Sequence, residues 1–499
     1  MQILILAMVI GMLVADPQRV TAEGVSLGFG LLAGLAGAKI AWAGLYAACV
    51  GTARRPIVRG GDGRWLMRLE WISAVYRWGL LGLFGLDLSL GMLAGLRRVL
   101  FEWLGVEHLI VVDELLFMTP TLGLIVWGWW CYYPIDRRLR EADLMRRLDE
   151  GAPVRAIWSR GQFLLAQFRH QIAIMLGPLV VLLAWWELAP WLANGAVVHA
   201  PSWVSDRPIA LDVGTVLLVA GTATVLAMAP VMIRYMWDTV PLADGELRRE
   251  LEAMCRRYRV RVRQLLLWRT FGCMSNAAVM GLVGPVRYIL LSDGLLESLP
   301  KQSVQAVMAH ELAHVRRHHL FWLMAAAAGT LGALEVAMAW GFTLTGDAAL
   351  AEIGLWQNRM AAYGGLAVMV VIWAAVFGWV SRRFERQADS LAAVSLATQR
   401  YEAEGVSCEG GVVIGEQDAM AVADALGRVA ALNHMPLRRP SWRHGSIAWR
   451  QRNLRSLAGQ RTDKLSIDRQ VRRIKWASLA VLFVVIAAYC VLGNRGLWF

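Results

Sequence analysis

A short stretch of the chain combines two histidines and a glutamate at a spacing that suits metal-assisted hydrolysis. The residues are His310-Glu311-Leu312-Ala313-His314, an H-E-x-x-H motif in a segment predicted to be helical. Four residues advance a helix by about 400°, so both imidazoles project from one face and can bind one metal ion. Glu311 lies one step round the helix, within reach of a water on that ion. Zinc bound in this way keeps an open position and lowers the pKa of its water towards ~7, as attack on a peptide carbonyl requires.

The third ligand predicted for this ion is Glu385. Two predicted membrane spans separate it from His314, and an even number of spans returns the chain to the same side of the bilayer. His314 comes just before the first of these spans and Glu385 just after the second, so both lie at one interface. Asp389 follows at i+4 on the same helical face, where it can accept a hydrogen bond from a ligand imidazole. Other acidic side chains are predicted on the opposite side or within the membrane: Asp347, Glu352 and Glu335.

Composition indicates a polytopic membrane protein. Of the 499 residues, 57% are hydrophobic and 18% are charged, and the mean hydropathy is +0.46. Soluble globular domains carry about 25% charged residues, so an ordinary cytosolic enzyme is disfavoured and a disordered chain is excluded. The 6 cysteines show no CxxC spacing, which argues against a zinc ribbon or a disulfide framework. We therefore expect unpaired thiols.

About nine segments are apolar enough to form membrane spans of roughly 20 residues. They are 1–15, 25–50, 71–96, 110–133, 172–193, 213–236, 320–344, 361–380 and 476–492. The first is short and lacks a basic n-region, so we expect an uncleaved anchor rather than a signal peptide. The predicted fold class is mainly α, a polytopic helical membrane protein with a small α+β domain on its cytoplasmic face.

The distribution of cations orients these spans. The net charge is +13, and most of the positive charge is arginine. With the N-terminus inside, the segments 51–70, 134–169, 237–319 and 381–475 face the cytoplasm and hold most of the arginines, in accord with the positive-inside rule. The loops on the other side keep only Arg19, Arg97, Arg98, Arg207, Arg359 and Arg495. We therefore attribute the basic charge to the bilayer and expect no nucleic-acid partner.

Two cytoplasmic segments are predicted to form the non-membrane domain. In 237–319 a helix at 246–257 precedes β-rich runs at 264–270, 276–282 and 286–291. The last two runs are predicted to form a hairpin. A helix that begins at Ser298 and Pro300 then runs through His319. This order indicates a helix, a meander and a helix. In 381–475 we expect helices at 382–398 and 418–433, a loop at 403–416 and a basic region at 436–455.

These residues resemble a known family, the membrane-embedded gluzincin zinc metallopeptidases that include the CAAX prenyl protease and the heat-shock protease HtpX. The likeness runs from about residue 248 to residue 457. It rests on several motifs: Ser275-Asn276-Ala277, Arg287-Tyr288-Ile289-Leu290-Leu291-Ser292-Asp293-Gly294-Leu295-Leu296, the HELAH helix, Ser381-Arg382-Arg383-Phe384-Glu385-Arg386-Gln387-Ala388-Asp389, Ala425-Leu426 and Asn433. The domain is accordingly expected to be zincin-like.

The resemblance implies roles for individual residues. One zinc ion would be held by His310, His314 and Glu385, with Glu311 as general base and proton shuttle. Asn276 and Ala277 would begin an edge strand that pairs with an extended substrate.

A late histidine followed by arginine at +6 is also part of the family pattern. His444 and Arg450 meet that spacing. His444 would donate to the tetrahedral oxyanion, and Arg450 would brace the nearby carboxylates. This chain has Gly445 where the family usually has proline. His318 and His319 are predicted as interface residues, with a place in the cleft as the alternative.

The predicted organisation has five parts: an N-terminal membrane region at 1–236, catalytic segments at 237–319 and 381–475, a transmembrane hairpin at 320–380 and a last span at 476–499. We expect a zinc endopeptidase of a bacterial inner (cell) membrane, open to the cytoplasm, whose partners are polypeptide substrates and the bilayer. CAAX-type processing is a narrower alternative. A catalytically idle sensor or scaffold, or a transporter using Asp87 and Glu335, are alternatives from other classes.

Overall fold

The computed structural model describes 23–58, 64–89, 111–149, 151, 157–198, 213–270, 274–345, 355–406, 408, 411–433 and 435–493. The predicted span at 1–15 lies outside these residues. The chain divides into two compact units, Met1–Trp237 and Asp238–Phe499. Five cysteines among the described residues are free thiols: Cys49, Cys131, Cys255, Cys408 and Cys490.

The described residues of the first unit are almost entirely helical. Its helices are α1 (Glu23–Val58), α2 (Arg64–Ser89), α3 (Val112–Asp149), α4 (Arg160–Gln167), α5 (Ile174–Val198) and α6 (Val213–Met236), with a π-helical turn at Phe168–Ala173 between α4 and α5. Helices α1, α2 and α3 pack through a buried cluster that includes Leu80, Phe84 and Ile125. Tyr46 of α1 stacks on Tyr76 of α2 with ring centroids 4.1 Å apart. Close aromatic packing therefore joins α1 to α2.

Six helices in the described residues are long and apolar enough to cross a membrane, so the protein is an integral membrane protein. The candidate segments are Ala33–Arg55, Arg160–Ala193, Gly214–Met236, His319–Met338, Ala367–Ala403 and Ser466–Cys490. Each overlaps one of the nine predicted spans. The predictions at 71–96 and 110–133 fall largely on α2 and α3, which are not among the six. The count of nine therefore stays a prediction.

A four-stranded sheet forms the centre of the second unit. Its strands are β1 (Thr239–Pro241), β2 (Gln264–Trp268), β3 (Ala277–Met280) and β4 (Tyr288–Ser292), in the order β1-β2-β4-β3. The hairpin between β3 and β4 is confirmed by their antiparallel pairing. The predicted meander is wrong, because β2 and β4 pair in parallel and β3 is left at the sheet edge. The near-continuous apolar runs of β2 and β4 are typical of such buried parallel strands.

Eight helices complete the described part of the second unit. They are α7 (Glu246–Arg257), α8 (Asp293–Ser298), α9 (Lys301–Arg316), α10 (His319–Thr345), α11 (Leu355–Ala403), α12 (Glu416–Leu432), α13 (Ile447–Arg455) and α14 (Ser466–Gly493). A common core includes Ile289 of β4, Leu312 of α9, Phe384 of α11 and Leu454 of α13. The sheet, α9, α11 and α13 are therefore held in fixed relation to one another.

Two helix boundaries differ from the sequence predictions. The helix that carries HELAH ends at Arg316, not at His319, because His318 adopts a left-handed φ of +55° that breaks it from α10. Conversely, two segments that were predicted separately, the span at 361–380 and the charged helix at 382–398, belong to one continuous helix, α11. No proline interrupts this segment, so one helix continues from the predicted span into the charged segment that follows it.

The central strand should carry much of the stability of this unit. Leu290 of β4 is fully buried between Leu266 of β2 and Ala278 of β3. We expect Leu290→Ala to lower the free energy of unfolding by about 2–5 kcal/mol, because it removes buried methyl groups and leaves a cavity. Thermal or denaturant unfolding in detergent measures this loss. The exposed hairpin residue Leu282 supplies the control Leu282→Ala, and equal losses in the two variants would contradict the assignment of the core.

Candidate metal centre

Three side chains from two helices converge on one point. His310 and His314 occupy successive turns of α9, and their Nε2 atoms lie 3.1 Å apart. Glu385 of α11 places Oε2 3.5 Å from His310 Nε2 and Oε1 3.6 Å from His314 Nε2. The glutamate is buried, and both imidazoles are mostly so. Sequence analysis chose these three residues, and the fold brings them together.

The donor set fits a tetrahedral zinc ion. Zinc binds histidine nitrogen and carboxylate oxygen at roughly 2.0–2.1 Å, which requires ligand atoms about 3.4 Å apart. One donor atom from each residue lies within 4.8 Å of the others, and the closest separations of 3.1–3.6 Å bracket that value. Two neutral imidazoles and one carboxylate leave a coordination position for water, as in catalytic zinc sites. These residues could therefore hold one zinc ion.

A buried arginine compensates the carboxylates behind this point. Arg450 of α13 donates to Asp389 Oδ2 from Nε at 2.8 Å and to Asp389 Oδ1 from Nη2 at 2.6 Å. Its Nη1 lies 3.2 Å from Glu385 Oε2, and Asp389 Oδ1 lies 2.9 Å from His310 Nδ1. The guanidinium and both carboxylates are almost fully buried. Asp389 thus orients the first imidazole, and Arg450 orients both acidic side chains.

The protein groups around the site shift its proton affinities. Burial raises the pKa of the Glu311 carboxyl to about 7, against the opposing effect of His310. Burial lowers the pKa of His314 well below its usual value, which keeps this imidazole neutral. Burial also acts to lower the pKa of His310, but the nearby Asp389 and Glu385 carboxylates outweigh it and raise the pKa to about 10. The same two carboxylates raise the pKa of Arg450 despite its burial.

His444 reaches the site from an exposed loop. Its Nδ1 lies 2.8 Å from Glu385 Oε1, while about half of the side chain remains exposed. The loop turns back on itself here, since Gly445 N donates to Ser441 O and Ser441 N donates to Gly445 O. Gly445 has a φ of +73°, which proline cannot adopt. The glycine in place of the family's proline therefore belongs to a turn that delivers His444 to the carboxylate.

A cavity of about 1140 Å³ opens over these groups. His310, Glu311, Glu385 and His444 lie on its wall, together with residues 276–279, which begin edge strand β3. Two hydrogen bonds anchor the start of this strand: Asn433 Nδ2 donates to Ser275 O at 2.8 Å, and Ser275 N donates to Asn433 Oδ1 at 3.0 Å. The strand edge and the candidate metal ligands therefore share one cavity.

A hydrogen-bonded relay behind His314 was missed by sequence reasoning. His319 Nδ1 lies 3.0 Å from His314 Nδ1, and His319 Nε2 lies 2.8 Å from Gln387 Oε1. Gln387 Nε2 in turn donates to Asp468 at the start of α14. Because the Asp468 carboxylate can only accept, it fixes the donor in each hydrogen bond of the relay. Gln387 donates to Asp468, His319 donates from Nε2 to Gln387, and His314 donates from Nδ1 to His319. This polarity leaves the lone pair of His314 on Nε2, facing the site.

The sequence contained only part of the signal for this relay. His319 lies at i+5 from His314, a spacing that does not share a helix face, and the break at His318 is what turns it inward. The ring is buried and stacks on Phe384 with centroids 4.7 Å apart. Both His318 and His319 line the cavity, although the sequence favoured a simple interface position.

Comparison with known proteins supports the predicted resemblance. Residues 241–407 match the family model described as Peptidase family M48. This segment contains β2, β3 and β4, the HELAH helix and Glu385. The resemblance to membrane zinc metallopeptidases is therefore confirmed for this part of the chain.

Individual relatives agree with that match. A protease HtpX homolog from Herminiimonas arsenicoxydans is 30% identical over 146 residues, which are 28% of this chain and 49% of that protein. A CAAX prenyl protease 1 homolog from Dictyostelium discoideum is 26% identical over 188 residues, or 35% of this chain and 43% of that protein. The chain thus spans about half the length of these curated relatives. The crystal structure of S. mikatae Ste24p aligns with 84% of this chain and 97% of its own, at 14% identity and a TM-score of 0.44.

Breaking the relay should weaken metal binding. We expect His319→Asn to lower the affinity of the purified protein for zinc by about 10–100-fold, because His314 loses the partner that sets its tautomer. Competition with a chelator measures this affinity. The exposed neighbour His318 gives the matched control His318→Asn, since asparagine tolerates its left-handed backbone. Equal zinc affinities in the two variants would exclude a role for the relay.

Removing the buried guanidinium should destabilise the unit. Arg450→Met leaves the carboxylates of Glu385 and Asp389 buried without their compensating charge. We expect the free energy of unfolding in chelator-treated protein to fall by about 3–5 kcal/mol. Denaturant unfolding in detergent tests this, with Arg452→Met on the exposed side of α13 as the control. A loss no larger than that of the control would show that the cluster does not need Arg450.

Proposed function

We propose that this protein is an integral-membrane zinc endopeptidase that hydrolyses peptide bonds. The observation that carries the proposal is the convergence of His310, His314 and Glu385 beside a cavity that also contains Glu311. The match of 241–407 to Peptidase family M48 supports the same reaction class. The six candidate spans support a membrane location for it.

The side chains of this site divide the chemistry among them. Zinc held by His310, His314 and Glu385 would act as a Lewis acid that lowers the pKa of a water at its open position. Glu311 has a pKa of about 7, which suits it to act both as an ionised base and as a protonated acid. It accepts a proton from the attacking water and passes it to the leaving amine. His444 uses Nδ1 for Glu385, so we assign Nε2 to the developing oxyanion.

Edge strand β3 is the proposed binding site for the substrate backbone. It pairs with β4 on one side only, and its residues line the cavity beside α9. An extended peptide can add to such an edge through main-chain hydrogen bonds, whatever its side chains are. We assign this contact to residues 276–279, beginning at Asn276 and Ala277. Recognition by backbone suits a protease with varied substrates.

Substrates are proposed to be membrane-associated or misfolded membrane proteins. Helix α11 carries Glu385 five residues beyond the end of the span predicted at 361–380, so the cavity lies close to the predicted end of that span. The arginine distribution supports an opening towards the cytoplasm, in a bacterial inner membrane. CAAX-type processing remains a narrower form of the same activity. The complete set of Glu311, Glu385, Asp389 and Arg450 argues against an idle scaffold.

The proton shuttle supplies the direct test of this function. We expect Glu311→Gln to retain one zinc ion and to lower kcat on an unfolded protein substrate by about 10²–10⁴-fold, because the amide cannot accept the proton. Metal analysis and a proteolysis assay on detergent-purified protein measure both quantities. Glu402→Gln, which changes a half-exposed glutamate paired with Arg257, is the matched control. Turnover by Glu311→Gln at the control's rate would refute the mechanism.

A further inference from the structure

The loop that delivers His444 has an unusual surface. Residues 435–445, here called the Arg–Trp loop, expose apolar and basic side chains next to each other. Met435, Leu437 and Trp442 are 49%, 43% and 41% exposed. Between and beside them lie three exposed arginines, Arg438, Arg439 and Arg443. This combination of an indole, aliphatic side chains and arginines is typical of a segment at a membrane interface.

The Arg–Trp loop is bound to the membrane-spanning part of α11. Trp442 donates from Nε1 to Ala374 O at 2.7 Å and stacks on Phe377 with centroids 5.3 Å apart. Gly378 makes room for the indole, since a Cβ at that position would lie 2.6 Å from Trp442 Nε1 and 2.9 Å from its carbonyl oxygen. Arg382, one turn further along the helix, donates to Trp442 O at 2.8 Å. Side chain and backbone of Trp442 are therefore both fixed to the helix.

These contacts set the depth of the loop. The predicted span ends at Val380, and Ala374 lies about 9 Å inside that end at about 1.5 Å per residue. The candidate span Ala367–Ala403 includes every contact between Trp442 and α11. Measured from that predicted end, we place the indole just inside the membrane boundary, the level at which tryptophan rings are enriched. The neighbouring arginines then lie near the phosphate groups of the same leaflet.

We propose that the Arg–Trp loop binds anionic phospholipid headgroups and that this contact holds His444 at the active site. The loop presents three cations and no acidic residue between 435 and 445. Each cation near an anionic surface contributes favourable binding, and the long side chains of arginine reach the headgroups. The effect on His444 rests on the proposed function, whereas the lipid contact does not.

A short chain of contacts connects the lipid-facing residues to Glu385. Arg443 stacks over Phe377, with its guanidinium carbon 5.9 Å from the ring centroid. The next residue, His444, donates from its backbone N to Ser441 Oγ and places Nδ1 2.8 Å from Glu385. Because the Ser441–Gly445 turn is rigid, a displaced Trp442 would carry His444 away from the carboxylate. Lipid binding would therefore favour the assembled site.

Hydrogen exchange in nanodiscs tests the lipid contact without reference to activity. The full-length protein is placed in discs of phosphatidylcholine with increasing fractions of phosphatidylglycerol, and exchange is followed in the peptide that covers 435–446. We expect exchange to slow as the anionic fraction rises. The variant Arg438→Gln/Arg439→Gln should lower the apparent affinity for anionic lipid roughly fivefold per arginine, or about 25-fold in all. Its control is Arg452→Gln/Arg455→Gln, which removes the same charge from exposed positions of α13.

A second pair of variants displaces the loop without changing its charge. Gly378→Ala places a methyl group against the indole of Trp442, whereas Gly364→Ala lies on the same helix with nothing within 4 Å. We expect Gly378→Ala to lose the lipid-dependent protection and Gly364→Ala to keep it. Equal exchange in neutral and anionic discs for the wild-type protein would overturn the proposal, as would equal effects of the loop variants and their controls.

Proteolysis in the same discs separates the two proposals. We expect hydrolysis of an unfolded substrate to rise with the anionic fraction in the wild-type protein, and to rise less in both loop variants. If the substrate is hydrolysed but hydrogen exchange in 435–446 does not depend on the lipid, the proposed lipid contact is overturned and the proposed peptidase function is retained. Lipid-dependent protection without hydrolysis in any disc would support the contact and refute the proposed function.

Discussion

The buried guanidinium of Arg450 is the interaction on which the catalytic unit depends. It pairs with both Glu385 and Asp389, two carboxylates one turn apart on α11 that would otherwise repel each other in a buried position. Through Asp389 it also reaches His310 on α9. Three helices are thereby joined by charge, and the joint orients one carboxylate towards the imidazole pair. A ligand set of this kind requires such support, since ligands that are free to rotate bind metal weakly.

Helix α11 transmits the constraint of the membrane to this cluster. It carries the candidate span, the Trp442 contact at Ala374 and Gly378, and the two carboxylates on one continuous axis. α10 and α14 approach the same cluster through His319 and Asp468, which meet across Gln387 of α11. Residues of three membrane-associated helices therefore contact the site directly or through other side chains. The membrane-associated helices are therefore connected to the candidate metal centre by side-chain contacts.

The errors in the sequence predictions share one cause. The apolar runs of β2 and β4 indicate buried strands but do not specify which strands pair, so a meander was expected and a parallel central pair was found. Likewise, helical periodicity continues through Arg317 and His318, whereas a single left-handed residue ends α9. In α11 the change from apolar to charged composition suggested two helices, although the backbone needs no break there. The composition of a segment indicates whether it is buried or exposed, but it does not specify which strands pair or where a helix ends.

The sequence by itself determined the local chemistry: HELAH places two imidazoles on one helix face, and Glu385 with Asp389 places two carboxylates on another, because helical spacing alone decides these pairs. It also identified the hairpin and most of the membrane helices, whose signals are equally local. Only the tertiary structure decided that these two helix faces meet each other. It also decided that Arg450 and His444 both contact Glu385. The relay from His314 through His319 and Gln387 to Asp468 likewise depends on the tertiary structure. These contacts join residues 59 to 81 positions apart or more closely spaced residues across a helix break. No periodic pattern encodes such distances; packing of the whole unit sets them.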